Sequence, residues 1–162
     1  MKFYIVNIDS QNREFVVRYV SENWGSTVIV TRGTVHQVEE LPGFIALVDG
    51  EVKGIVLYSL YECECEIVLL DVLIGNCGIG SALIEKISDI ASQSHCKRVW
   101  LITTNDNIDV VRFYQKRGFD LVALHRYAVR ESRRIKPQIP LLGMHSIPIN
   151  HVIEFEKLIQ SS

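Results

Sequence analysis

The spacing of apolar positions changes period several times along the chain. Lys2 to Ile8 reads as a short strand. Phe15, Val16, Tyr19 and Val20 then recur on one helical face, which predicts a helix over residues 10–23. A side-chain oxygen of Asp9 or Ser10 would cap it, and Trp24-Gly25 would end it. Val28 to Thr31 is a β-branched run, a strand or extended arm, and Leu41-Pro42-Gly43 is a turn. Phe44–Val48 and Val52–Leu60 are two apolar runs joined by Asp49-Gly50, the signature of a hairpin. Ile67–Leu73 is apolar enough for the interior of a sheet. From Gly78 the period becomes helical, with Ile79, Leu83, Ile84, Ile87, Ile90 and Ala91 on one face.

Val99–Thr103 reads as a strand. Val110, Val111, Phe113 and Tyr114 suggest a second helix stopped by Gly118, and Phe119–Val129 reads as one long strand. In the tail, Ile153 and Phe155 alternate with Glu154 and Glu156, which favours a strand. Phe155, Leu158 and Ile159 fit a helix nearly as well. Strands first, then alternating strands and helices, predict one mixed α/β domain over residues 1–162.

Composition narrows the function classes. With 48% apolar and 22% charged residues among 162, the chain is ordinary globular sequence, unlike a disordered one. Seventeen Lys and Arg against 19 Asp and Glu leave a net charge of −2, so no general basic field invites nucleic acid. The longest apolar stretch, Ile67–Ile74, is broken by Asp71 and is far short of the ~18 residues a membrane span needs. Met1-Lys2-Phe3-Tyr4 does not open a signal peptide, so a cytoplasmic protein with no membrane partner is expected. In a cytosolic chain Cys63, Cys65, Cys77 and Cys96 read as free thiols rather than disulfides, and their spacing is wrong for paired zinc ligands.

Gly75-Asn76-Cys77-Gly78-Ile79-Gly80-Ser81-Ala82-Leu83 joins an apolar strand to a helix. Glycine there permits positive φ and close backbone approach, and a helix N-terminus presents unpaired N–H groups and a positive dipole end. The segment suits either a tight strand-to-helix turn or a pyrophosphate site. Leu83 breaks the dinucleotide fingerprint, and no Gly-Lys-Ser/Thr follows, so neither standard nucleotide loop fits.

Leu70–Leu83 resembles the acetyl-CoA loop of the GNAT superfamily of N-acetyltransferases, Gln/Arg-x-x-Gly-x-Gly/Ala, with Gly78 and Gly80 on the glycines and Gly75 where the family has Gln or Arg. Asn107-Ile108-Asp109-Val110-Val111-Arg112-Phe113-Tyr114-Gln115-Lys116-Arg117-Gly118-Phe119 resembles the family's Asn-x-x-Ala-x-x-Phe-Tyr-x-Lys-x-Gly-Phe, with Val110 for Ala. The resemblance implies a mostly antiparallel central sheet flanked by helices and splayed at its central strands. It implies acetyl-CoA as co-substrate, no metal, and transfer to a primary amine of a small molecule or a protein.

The same resemblance assigns residues. Backbone groups near Leu70 and Val72 would meet the thioester and pantetheine. Gly75, Asn76, Cys77, Gly78, Ile79, Gly80 and Ser81 would hold the pyrophosphate. Asn107 would cap its helix or bond the pantetheine, Lys116 or Arg117 would meet the cofactor's phosphates, and Tyr114 would protonate the departing thiolate. For the base the order is Glu66, then Asp71, then a water chain, with Glu64 on the face of Glu66. Trp24, Arg32 and His36 would lie in an arm on the acceptor side.

Arg112 to Lys136 carries eight Lys and Arg against two Asp and Glu. These charges are either solvated faces or, for Arg126, Arg130, Arg133 and Arg134, contacts to an acidic substrate or partner. An edge strand or the proline-containing tail could pair two copies into a homodimer. The alternative to catalysis is a CoA-binding scaffold on the same fold, motivated by Gly75.

Overall fold

A computed structural model describes residues 2–75 and 77–160, so the expectation for Asn76 lies outside the described residues. In chain order the elements are β1 (Tyr4–Asn7), α1 (Arg13–Trp24), β2 (Val28–Thr31), β3 (Thr34–Gln37), β4 (Gly43–Val48), β5 (Glu51–Tyr61), β6 (Glu64–Val72), α2 (Ile79–Gln93), β7 (Arg98–Thr104), α3 (Ile108–Gln115), β8 (Asp120–His125), α4 (Val129–Ile135) and β9 (Val152–Leu158). The class is mixed α/β with mostly antiparallel strands and flanking helices, as expected. Among the described residues no helix is long and apolar enough to cross a membrane.

The chain forms two compact units. The first comprises Met1–Ile29, His36–Val99 and Ile159–Ser162; the second comprises Val30–Val35 and Trp100–Leu158. In the first, the strand order is β1-β4-β5-β6, with each neighbouring pair antiparallel. Val16 and Val20 of α1 pack on Ile45, Ile55, Leu57 and Leu69, with Val38 and Leu41 closing the cluster. The opposite face receives α2, whose Ile79, Leu83, Ile84, Ile87 and Ala91 are buried.

One register shift decides which residues meet on β6. Leu57 pairs with Leu69, but Tyr58 pairs with Ile67, so Val68 is an extra residue. A bulge of this kind reverses the alternation of faces beyond it. Asp71 and Leu69 share a face with Ile55 and Leu57, against α1; past the bulge, Glu66 opposite Ser59 returns to that same face. Without Val68, Glu66 would point toward α2.

In the second unit the order is β7-β9-β8, with β8 and β9 antiparallel. Tyr114 stacks edge-on against Phe113 and Phe119, at 5.0 and 5.2 Å, and lies tilted against Phe155 at 6.0 Å. A smaller cluster of Val129, Ile149 and Val152 seats the start of α4.

Several boundaries differ from the sequence reading. Asp9 does cap the start of the helical segment, reciprocally with Asn12: its Oδ1 accepts the Gln11 and Asn12 N–H groups at 2.9 and 3.0 Å, while Asn12 Oδ1 accepts the Asp9 N–H at 2.9 Å. The Asp9 carbonyl accepts the Arg13 N–H at 3.0 Å, and the regular helix α1 begins at Arg13 rather than at residue 10. The strand expected over Phe119–Val129 ends at His125. Tyr127 turns the chain with φ 57°, its N–H bonded to His151 Nδ1 at 2.9 Å, and Val129 begins α4 instead. Strand β6 begins at Glu64 rather than Ile67, and β3 was not foreseen. The tail does form a strand, β9.

Candidate active site

The segment between β6 and α2 is built for close approach. Gly78 stands at the N-cap of α2 with φ 84°, in the left-handed region that favours glycine. Among the described residues the N-cap makes no side-chain capping bond, and no acidic residue occupies the first turn. A helix N-terminus of this kind offers backbone N–H groups that the helix itself does not use. A Cβ built at Gly75 or Gly78 would meet nothing within 4 Å, so there is open space over the loop. Ile79 and Gly80 are buried, which ties the first turn to the sheet, while Ser81 is exposed. Cys77 Sγ donates to the Ile74 carbonyl at 3.3 Å, so its side chain closes the loop on itself. The four cysteines are free thiols.

On the α1 face of β6 stand three acids. Glu64 is bound by Arg98. Asp71 accepts the Tyr19 hydroxyl at 2.7 Å, and that phenol is pushed up to about 12 by its burial and by the hydrogen bond and charge of Asp71. A tyrosine, rather than nearby backbone N–H groups, thus accounts for the acid inside the apolar run. Glu66 is different. It is 6% exposed, its Oε1 lies 3.4 Å from His36 Nε2, and its buried Oε2 has no hydrogen-bond partner among the described residues. Leaving a buried acceptor unpaired costs about 1–3 kcal/mol, more for a charged group. Leu70 and Val72 sit opposite Val56 and Gly54 in the β5–β6 ladder. Trp24 ends α1 half exposed.

In the second unit, Tyr114 is nearly enclosed. Burial pushes its phenol well above the ordinary range, against the opposing charge of Arg117. The hydroxyl therefore keeps its proton at neutral pH. Asn107 occupies the N-cap position of α3, yet its side chain makes no capping bond. Lys116 ends α3 exposed. The Arg117 guanidinium lies 3.6 Å over the Phe113 ring and donates to the Phe113 carbonyl.

The basic stretch divides by role. Arg126 and Arg130 lie against the Tyr127 ring, and Arg134 pairs with Glu131. Arg133 donates to the carbonyls of Ile139, Pro140 and Ile149, so it ties down the tail. Arg32 Nη1 and His125 Nε2 both reach Glu154 Oε1 at 3.0 Å.

The sequence reading missed three features. Glu154 looked like the solvent-facing half of an alternation, but it is 5% exposed and gathers Arg32 and His125. Asn105 and Asp106 do more than Asn107. Asn105 Oδ1 accepts the Asn150 and His151 N–H groups, and buried Asp106 accepts the Thr104 hydroxyl at 2.5 Å and the Met144 N–H at 3.0 Å. Finally, no signal in the sequence links His36, in the arm, to Glu66.

The model of the acetyltransferase (GNAT) family matches residues 10–119. The chain is 37% identical over 148 residues to the uncharacterized protein YdhI of Bacillus subtilis (strain 168), covering 91% of this chain and 92% of that one. Its fold is similar to that of a Bacillus subtilis acetyltransferase in complex with CoA, with a TM-score of 0.70 at 15% identity, over 98% of this chain and 100% of that chain. It is similar also to a GNAT family acetyltransferase from Elizabethkingia anophelis with acetyl-CoA bound, with a TM-score of 0.69 at 15% identity, over 96% and 97% of the two chains. With a family match spanning most of the sequence and carrying both motifs, the chain belongs to the GNAT acetyltransferase family.

Proposed function

We propose that the protein is an acetyl-CoA-dependent N-acetyltransferase that acts on a primary amine of a small molecule or a protein by direct attack. The observation that carries this reading is the glycine N-cap of α2, Gly78 in the left-handed region, with open space over Gly75 and Gly78. Backbone N–H groups and the helix dipole there suit a pyrophosphate without a cationic side chain. The glycine at position 75 removes a side-chain contact but leaves those N–H groups in place. When bound, acetyl-CoA supplies an activated acetyl thioester.

The chain supplies proton transfer and positioning. Glu66 accepts the proton that the attacking amine must lose, and its idle Oε2 is the acceptor. Asp71 ranks second because Tyr19 already occupies it. Tyr114, held neutral by burial, donates a proton to the departing thiolate. Arg32, half exposed and held by Glu154, and Trp24 at the end of α1 are offered to the acceptor.

Thermal unfolding with acetyl-CoA, CoA or NADH at matched concentrations tests the reading. A ligand at 100 times its dissociation constant stabilises by about 2.7 kcal/mol, or roughly 5–11 °C for a domain of this size. A rise with both CoA species and none with NADH is expected. No rise with either CoA species would overturn the proposal. Binding without turnover across an amine panel would favour the scaffold reading.

A further inference from the structure

We propose that His36 is the positioning residue of Glu66, and that the two work as a buried pair in which the imidazole holds one carboxylate oxygen and leaves the other to take the proton. The inference rests on the reading of Glu66 as the base. Three observations support it.

First, β3 inverts the usual distribution of side chains. His36 is 7% exposed while its neighbour Val35 is 46% exposed. A strand governed by burial alone would place the valine inside and the histidine in water. Second, His36 Nε2 lies 3.4 Å from Glu66 Oε1. That is longer than a formed hydrogen bond, and contacts of this kind commonly tighten only when substrate is in place. Third, Oε2 is buried and has no hydrogen-bond partner among the described residues. Once the imidazole contact closes on Oε1, the carboxylate has a defined acceptor direction at Oε2; without the imidazole it could rotate and present either oxygen.

The other acids on that face are engaged elsewhere. Glu64 is taken by Arg98 and Asp71 by Tyr19. The bulge at Val68 puts Glu66 on this face, and Val38, two residues after His36, is anchored in the cluster around α1. The step itself is a plain proton transfer. An N–H bond of the attacking amine breaks, an O–H bond forms at Glu66 Oε2, and the carboxylate becomes neutral while Nε2–H stays on Oε1. The acid then returns its proton to water.

The full chain is tested by two independent measurements. Long-range 1H–15N NMR of the imidazole reports which ring nitrogen of His36 carries the proton, in the parent and in Glu66→Gln. The pairing predicts protonated Nε2 and a clear change of the His36 signals in the variant. Unchanged signals would overturn it. Kinetics then use acetyl-CoA with two probe amines, n-propylamine and a lysine-bearing peptide. His36→Leu is expected to lower kcat by about tenfold or more, with the KM for acetyl-CoA within about twofold of the parent. His36→Gln, whose amide N–H can stand where Nε2 stood, should recover most of that loss. Equal kcat in parent and His36→Leu would overturn the positioning role, and so would equal losses in both variants. If the parent acetylates neither amine, the acetyltransferase reading fails on those probes, and the NMR result alone decides the pairing.

Discussion

Gly54 offers the sharpest test of how the fold positions the loop. It lies on β5 directly beneath the first turn of α2. A Cβ built there would stand 2.7 Å from Ile79 Cγ2, 3.0 Å from Leu83 Cδ1 and 3.4 Å from Ala46 Cβ. Ile79 is β-branched and 1% exposed, and Leu83 is fully buried, so neither can swing aside. Gly54→Ala therefore lifts the N-terminal turn of α2 off the sheet. Overpacking of this kind costs about 1–3 kcal/mol, offset by the ~0.4–1 kcal/mol that alanine gains through the unfolded chain. The net loss is about 1–2 kcal/mol, or roughly 2–8 °C in Tm. Urea unfolding followed by circular dichroism, with the slope m unchanged, measures it. CoA affinity should fall in the same variant, because the displaced turn carries the N–H groups assigned to the pyrophosphate. Gly75→Ala is the comparison: nothing lies within 4 Å of its Cβ and its φ is not in the left-handed region, so its stability should match the parent or rise slightly. A Gly54→Ala protein as stable as Gly75→Ala would refute the reasoning.

Other expectations are as direct. Tyr114→Phe should lower kcat while leaving acetyl-CoA affinity nearly intact by calorimetry; equal turnover would remove Tyr114 from the mechanism. Asp106→Ala strands the Thr104 hydroxyl and the Met144 N–H, and should cost about 1–3 kcal/mol in urea unfolding. Stability should also fall at alkaline pH. Burial, with the charges of Cys96 and Glu66, pushes the Cys65 thiol from 9.0 up to about 12, and Tyr19 rises from 10.0 to about 12. The folded state thus binds these protons more tightly than the unfolded chain. Their contribution is complete below pH 9 and is lost as pH rises toward about 12. Urea midpoints from pH 8 to 11 should decline, and a flat series would contradict the assignment.

Local pattern was enough for much of this protein. Helical spacing of apolar residues located α1, α2 and α3, because an amphipathic face is written at fixed intervals in the chain. Asp49-Gly50 fixed the β4–β5 hairpin, and Gly25 and Gly78 supplied the left-handed residues at helix ends. The glycine loop and the Asn107–Phe119 motif revealed the family, since both are contiguous. Long-range relations were not legible. The β3 strand has four residues and no alternation that buries its apolar member, so nothing marked His36 as an inside residue. Glu154 and Glu156 look alike in sequence, yet only Glu154 is enclosed, because Arg32 comes to it from 122 residues away. The face of Glu66 depends on a single bulge at Val68, and a one-residue slip of register turns every following side chain over. Spacing along the chain therefore determined which elements form and which family they belong to. Tertiary pairing alone decided which acid is bound by arginine, which by tyrosine, and which is left beside a histidine with an oxygen to spare.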